Sequence, residues 1–205
     1  MFLKNLKLTF FYLKKNKFIS ISIIFIIYFI ILPFSLYKIN DAILLKLNAN
    51  YICFQLLQST LLILLVVYQS FLFQVYVEPK LKEVVFVGDR CPKFIYIMSN
   101  CLYFHMLLIP FYWILNSYSG GMILEILYLI FECFVLSCLY YLIAQITKSS
   151  LLSLGILICY CMVFVTIESV FSMFIFNQMV NLEYVIKWIL ISMIAIIIGY
   201  RFEKL

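Results

Sequence analysis

Long apolar runs alternate with short polar stretches along the chain. Six runs are long enough to cross a bilayer, because a transmembrane helix needs about 20 mostly apolar residues. They cover residues 18–37, 52–77, 94–115, 122–146, 151–173 and 184–200. A transmembrane β-strand would instead alternate apolar and polar residues over about 10 positions. The pattern therefore predicts an all-α integral membrane protein, with residues 1–205 forming a single domain of six transmembrane helices.

The polar stretches between these runs differ in length and in charge. Residues 38–50 predict a polar connection, residues 116–121 a turn-rich loop that ends in two glycines, and residues 147–150 a very short break. Residues 78–93 form the most charged stretch in the middle of the chain. The chain is therefore taken up by membrane spans with small connections, and we expect no separate soluble domain.

The composition excludes an ordinary soluble domain. Apolar residues make up 67% of the chain and charged residues 12%, with a mean hydropathy of +1.14. Soluble domains are about half apolar and about a quarter charged. Lipid is a solvent that tolerates so apolar a surface, and it requires the backbone to satisfy its own hydrogen bonds within helices.

Lysine and arginine are unevenly distributed between the two sides of the predicted bundle. If residue 1 lies in the cytoplasm, only Lys38, Lys46 and Lys187 of the 15 basic residues fall on the outer side. Basic residues in short loops mark the cytoplasmic side. We therefore expect both termini in the cytoplasm. The net charge of +6 then reflects topology and not nucleic-acid binding. The abundance of Phe, Tyr, Ile, Lys and Asn is typical of an AT-rich bacterial genome, which indicates a bacterial plasma membrane.

Residues 1–17 predict an amphipathic helix. At 100° per residue most of its apolar side chains, though not Leu8 and Phe11, fall within one arc of about 100°, and these are Phe2, Leu3, Leu6, Phe10 and Leu13. Its basic side chains cluster on a neighbouring face, and these are Lys4, Lys7, Lys14 and Lys15. Such a helix can lie at the membrane interface with its lysines toward anionic head groups. The alternative is a plain basic anchor that only sets the topology.

Residues 78–92 carry the signals of a short helix between spans two and three. Pro79 suits the first turn of a helix, and Glu78 suits its positive dipole end. Gly88 suits a C-terminal stop, and Pro92 can begin the next span. The segment therefore predicts a short cytoplasmic helix that presents charged and apolar groups. The alternative is a solvated loop whose charges only mark topology.

This layout resembles the membrane subunits of ABC exporters of the type-2 permease family. Those subunits have an N-terminal interfacial helix, six spans and a coupling helix between spans two and three. Their coupling helix begins near a glutamate and ends in a Pro/Arg turn, and Glu78, Glu83, Arg90 and Pro92 fit that pattern, here in the order Arg90-Cys91-Pro92. The resemblance implies ATP-driven export of an amphipathic or hydrophobic substrate, such as an antimicrobial peptide, a lipid or a drug.

The same resemblance implies two protein partners. One is a cytoplasmic ATP-binding cassette ATPase that binds ATP and Mg²⁺, and the other is a second permease chain, identical or different. This chain has no P-loop pattern, so we expect it to bind no cofactor and to catalyse nothing itself. The residues implied to contact the ATPase are Glu78, Lys80, Lys82, Glu83, Asp89 and Arg90, together with Lys148 in the short break.

Four ionisable residues stand out inside the predicted spans, where such residues are costly and default to functional candidates. They are His105, Glu125, Glu132 and Glu168. His105 and Glu132 lie at similar depth, so a pairing between them would lower the cost of burying either. The functional interpretation is a polar patch in a translocation path or a subunit contact. The alternative is that these residues, with neutral glutamates, only bond neighbouring helices together.

Other function classes find less support in the residues. The chain has one histidine and neither a His-Glu-x-x-His nor a Gly-x-Ser-x-Gly motif, which disfavours an intramembrane protease. None of the 7 cysteines has zinc-ligand spacing with a histidine, so we expect no metal site. A stand-alone membrane immunity or binding protein, without an ATPase, remains the alternative to the exporter subunit.

Overall fold

The computed structural model describes residues 17–77, 93–166 and 182–204, which are helical apart from short turns and contain no strand. We number the helices α1 to α6. Helix α1 joins three consecutive stretches, Lys17–Phe25, Ile26–Ile31 and Leu32–Leu44. The others are α2 (Ala49–Val77), α3 (Lys93–Ser119), α4 (Ile123–Thr147), α5 (Ser150–Thr166) and α6 (Leu182–Lys204). The predicted interfacial helix, up to residue 16, and segment 78–92 lie outside the described residues.

Five of these helices are long and apolar enough to cross a membrane. They are α1, α2, α3, α4 and α6, whereas α5 contributes a shorter apolar stretch, Ser150–Val163. The chain is therefore an all-α, multi-pass membrane protein, which confirms the predicted class. The sixth span and the cytoplasmic position of both termini stay predictions.

Two predicted connections are wrong in length, because the helices continue through polar residues. Helix α1 runs to Leu44 and α2 begins at Ala49, so residues 45–48 alone replace the polar connection predicted over 38–50. Helix α3 runs to Ser119, so only residues 120–122 remain of the predicted loop. Polar side chains near these helix ends find partners in the bundle: Tyr118 Oη donates to Asn40 Oδ1 at 3.1 Å.

Helix α1 changes its winding before a proline. The stretch Ile26–Ile31 is π-helical, and Pro33 follows at the beginning of the next α-helical stretch. Proline has no N–H to donate to the preceding turn, and wide π turns accommodate such an interruption without ending the helix. The hydroxyl of Ser35 donates to Ile31 O at 2.8 Å and supports the same turn.

Helices α2 and α4 form the centre of the bundle. Helix α2 packs against α1, α3, α4 and α5, and α4 packs against α2, α3, α5 and α6. In their most apolar stretches 61% of α2 and 56% of α4 is buried, against 22% for α1 and for α6. The outer helices expose large apolar side chains such as Phe29, Trp113 and Ile197, which is the surface that lipid requires.

Hydrogen bonds between helices fix their directions. Asn50 Nδ2 donates to Gly121 O at 2.8 Å, which brings the beginnings of α2 and α4 together. At the opposite end the Lys93 N–H donates to Glu203 Oε1 at 3.0 Å, which joins the beginning of α3 to the end of α6. We call these the Gly121 end and the Glu203 end. Only residues 45–48 separate the end of α1 from the beginning of α2 at the Gly121 end, so α1 runs parallel to α3, and Tyr28 Oη donates to Leu107 O between them at 3.0 Å. The described residues therefore begin and end at the Glu203 end.

The α4–α6 contact depends on a glycine. A Cβ added at Gly199 would lie 2.6 Å from Cε1 of Tyr141, so we expect Gly199→Ala to destabilise the bundle by about 1–3 kcal/mol. Gly155→Ala on α5 is the matched control, because no described atom lies within 4 Å of its added Cβ. Thermal unfolding of both variants in one detergent makes the comparison. Equal midpoints would contradict the close packing of α4 and α6.

Candidate functional site

A fully buried carboxyl group lies in α4. Glu132 is 0% exposed, and Gln58 of α2 donates from Nε2 to Glu132 Oε1 at 2.7 Å. Within the described residues Glu132 Oε2 has no hydrogen-bond partner. A buried polar atom without a partner costs free energy. Glu132 therefore keeps a spare hydrogen-bonding atom at the centre of the bundle.

A second polar contact joins the same two helices closer to the Glu203 end. Gln69 of α2 donates from Nε2 to Ser137 Oγ of α4 at 2.6 Å. The Ser137 hydroxyl donates in turn to Cys133 O at 2.7 Å. Gln69 Oε1 is also unpartnered in the described part of the chain. Each contact thus leaves one side-chain oxygen with unused acceptor capacity.

A third contact brings in the beginning of α5. Ser150 Oγ donates to Ser70 O of α2 at 2.6 Å, and it lies 2.7 Å from Tyr140 Oη of α4. A serine hydroxyl has one hydrogen, so Tyr140 is the donor in that bond. We call these contacts the polar seam, made up of Gln58, Gln69, Ser70, Glu132, Ser137, Tyr140 and Ser150. The seam follows the α2–α4 contact from the middle of the bundle to the Glu203 end.

The predicted pairing of His105 with Glu132 is wrong. His105 Nδ1 lies 3.0 Å from Tyr112 Oη, two turns further along the same helix. His105 Nε2 and Glu132 Oε2 both lack a hydrogen-bond partner among the described groups, so the two residues do not bond each other. Gln58 reaches Glu132 from α2 instead, because a long amide side chain can bridge two central helices.

Glu125, another predicted intramembrane residue, does not join the seam. Glu125 is partly exposed in the first turn of α4, where a carboxylate interacts favourably with the positive end of the helix dipole. Glu125 therefore stabilises the beginning of α4 and does not contact its buried middle. Glu168 lies outside the described residues.

Lys148 is the one predicted ATPase contact that the described residues include. It ends α4 in a left-handed conformation with φ of 53°, and its Nζ donates to Phe202 O near the end of α6 at 2.8 Å. The exposed lysine thus ties the α4–α5 turn to α6. The other predicted ATPase contacts lie outside the described residues, and these are Glu78, Lys80, Lys82, Glu83, Asp89 and Arg90. The same holds for the lysines of the predicted interfacial helix, Lys4, Lys7, Lys14 and Lys15.

The sequence prediction missed three residues that organise the interior. Gln58 and Gln69 stand within an otherwise apolar run, and an amide in a membrane span indicates a contact between helices. That signal was available in the sequence. Glu203 stood beyond the predicted last span, where a charged residue is ordinary. Nothing in the pattern indicated that its partners, Lys93 and Tyr141, are far away along the chain.

A groove opens on the surface of α3 near the Gly121 end. Its volume is about 430 Å³, and it lies beside Pro110, which stands inside the continuous helix. The groove is apolar apart from two hydroxyl groups, and Trp113 is 74% exposed beside it. It is lined by Pro110, Trp113, Ile114, Ser117 and Tyr118. Such a surface fits an apolar chain with a few polar groups, whether from lipid or from a ligand.

Comparisons of the chain with protein-family models, with curated proteins and with solved structures find no match.

The Gln58–Glu132 contact can be tested by removing its donor. We expect Gln58→Leu to destabilise the bundle by about 1–3 kcal/mol, because it leaves the buried carboxyl of Glu132 without a partner. Gln55→Leu is the control, since Gln55 is exposed on the same helix. Unfolding in mixed micelles measures both variants. The double variant Gln58→Leu/Glu132→Leu should recover much of the loss, and a Gln58→Leu protein as stable as Gln55→Leu would contradict the contact.

Proposed function

We propose that this chain is the permease subunit of an ATP-driven exporter of the type-2 ABC family in a bacterial plasma membrane. One observation carries the proposal, namely the charge difference between two connections of similar length. Residues 78–92, next to the Glu203 end, contain Glu78, Lys80, Lys82, Glu83, Asp89 and Arg90. Residues 167–181, which follow α5, contain a single charged residue, Glu168. The described connections, at residues 45–48, 120–122 and 148–149, are much shorter.

A charged connection of this length suits a soluble partner. Charges of both signs stay hydrated in the free chain and can pair with complementary groups of a docking protein. The segment also follows directly from Val77, the last residue of α2, and leads directly into Lys93, the first residue of α3. Because α2 packs against four other helices, a force on the segment reaches the centre of the bundle. This supports a coupling segment for a cytoplasmic ATPase.

The filled interior supports a second permease chain. Tyr68, Phe73, Phe104, Tyr140 and Tyr141 are fully buried, and the described helices close around them. A substrate pathway through such a packed core would require the central helices to separate. We therefore place the pathway between this chain and a second permease chain, with the lipid bilayer around both. The substrate would be amphipathic or hydrophobic, such as a bacteriocin or another antimicrobial peptide, a lipid or a drug.

The chemistry of ATP hydrolysis belongs to the partner in this proposal. ATP and Mg²⁺ would bind the ATPase, and this chain would transmit the motion. Its titratable groups then serve position and assembly, and none of them has a catalytic role.

One observation favours the alternative of a stand-alone immunity or binding protein. The groove beside Pro110 lies toward the Gly121 end, which is the outer side in the predicted orientation, and it is mostly apolar, with Ser117 and Tyr118 in its lining. A membrane-active peptide could bind there without any ATPase. The charged segment 78–92 would then only mark the cytoplasmic side.

Purification of the tagged chain from its native membrane in mild detergent separates these two functions. The exporter subunit predicts that an ATPase copurifies and that the eluate hydrolyses ATP. A second permease chain should appear in the same eluate, or the chain should itself elute as a dimer. A chain that elutes alone and without ATPase activity would overturn the exporter proposal and favour the binding protein.

Charge reversal in segment 78–92 tests the coupling role. We expect Glu83→Lys or Arg90→Glu to lower ATPase stimulation by about 10-fold or more, since reversal of a docking charge adds repulsion where attraction existed. Glu183→Lys is the control, because Glu183 is exposed in the first turn of α6, at the other end of the bundle. Membrane insertion should stay normal in all three variants. Stimulation equal to that of Glu183→Lys would count against a coupling segment.

A further inference from the structure

Three helices meet at one carboxylate at the Glu203 end. Glu203 of α6 accepts the backbone N–H of Lys93 through Oε1 at 3.0 Å and through Oε2 at 3.2 Å. Tyr141 of α4 donates its hydroxyl to Glu203 Oε2 at 2.5 Å. Lys93 is the first residue of α3. One side chain therefore holds the beginning of α3 against the ends of α4 and α6.

The surroundings of Glu203 are shaped for this contact. Gly199 lies one turn before Glu203 on the same face of α6, and its missing side chain admits the ring of Tyr141. The ring of Phe94 in α3 packs edge-on against Tyr141, with the centroids 5.6 Å apart. We call Lys93, Phe94, Tyr141, Gly199 and Glu203 the Glu203 node. The node thus combines ring packing with hydrogen bonds between the same three helices.

The charge of Glu203 suits the place where it binds. The first N–H groups of a helix have no partner within the helix, and the positive end of the helix dipole favours a carboxylate there. Hydrogen bonds to a carboxylate are stronger than those between neutral groups. The Lys93 N–H at the beginning of α3 therefore stabilises the Glu203 carboxylate.

We infer that Glu203 is the positioning residue that makes the beginning of α3 move together with α4 and α6. Lys93 directly follows segment 78–92, so any displacement of that segment at its α3 end passes through Glu203 into α4, one of the two central helices. The inference rests on the proposed function, in which an ATPase acts on segment 78–92. It adds the residue through which the motion reaches the bundle.

Hydrogen exchange on the chain in lipid nanodiscs tests the node without any ATPase. In Glu203→Ala the peptide that begins α3 should exchange about 10-fold faster or more, as expected for the loss of a charge-assisted hydrogen bond. Glu203→Gln keeps one carbonyl acceptor and should rescue part of the protection. Glu183→Ala, the matched glutamate at the other end of α6, should leave α3 unchanged. Unchanged exchange in Glu203→Ala would overturn the inference.

ATPase stimulation of the copurified complex supplies the second readout. We expect Glu203→Ala to retain the ATPase on the chain but to lower its stimulation by about 10-fold, and Glu203→Gln to recover part of it. Faster exchange with full stimulation would overturn the coupling role. If no ATPase copurifies with the wild-type chain, the proposed function is overturned instead. The exchange rates alone would then show whether Glu203 joins the three helices. If Glu203→Ala fails to insert, Tyr141→Phe removes a single donor and gives the same comparison.

Discussion

Lipid offers no hydrogen-bond partners, so polar groups at membrane depth must find partners inside the bundle. This constraint explains why polar side chains bond each other across the contact between α2 and α4. Gln58 bonds Glu132, and Gln69 bonds Ser137, across the contact of the two most buried helices. A soluble protein would place such groups outside and its large apolar side chains within. Here Phe29, Trp113 and Ile197 face outward, and the polar contacts specify which helices neighbour each other.

The same constraint places long-range hydrogen bonds at both ends of the bundle. At the Gly121 end Asn50 Nδ2 donates to Gly121 O, and the described connections are short. At the Glu203 end Lys148 Nζ donates to Phe202 O. Long-range bonds matter especially beside segment 78–92, because a long connection does not itself hold the two helix ends that it joins close together.

The class of the fold could be predicted from the sequence because span length and apolar composition are local properties. The ends of α1 and α3 could not be predicted in this way, since Lys38, Asp41 and Asn116 are polar but still helical. Neighbouring polar residues find partners on another helix, as Asn40 does with Tyr118, and a local pattern does not reveal such a contact. The sequence also predicts that His105 and Glu132 lie at similar depth, but it does not predict the rotation of each helix about its axis. That rotation turns Glu132 toward Gln58 and leaves His105 with Tyr112.

Two neighbouring tyrosines of α4 receive the links from both sides of segment 78–92. Tyr140 bonds Ser150, which in turn bonds Ser70 O of α2, and α2 leads into the segment. Tyr141 bonds Glu203, which holds the first N–H of α3, and α3 leads out of the segment. Adjacent residues on a helix point about 100° apart, so one turn of α4 can contact both partners at once. The helices on both flanks of the segment are therefore bonded to the same turn of a central helix, at the end of the polar seam.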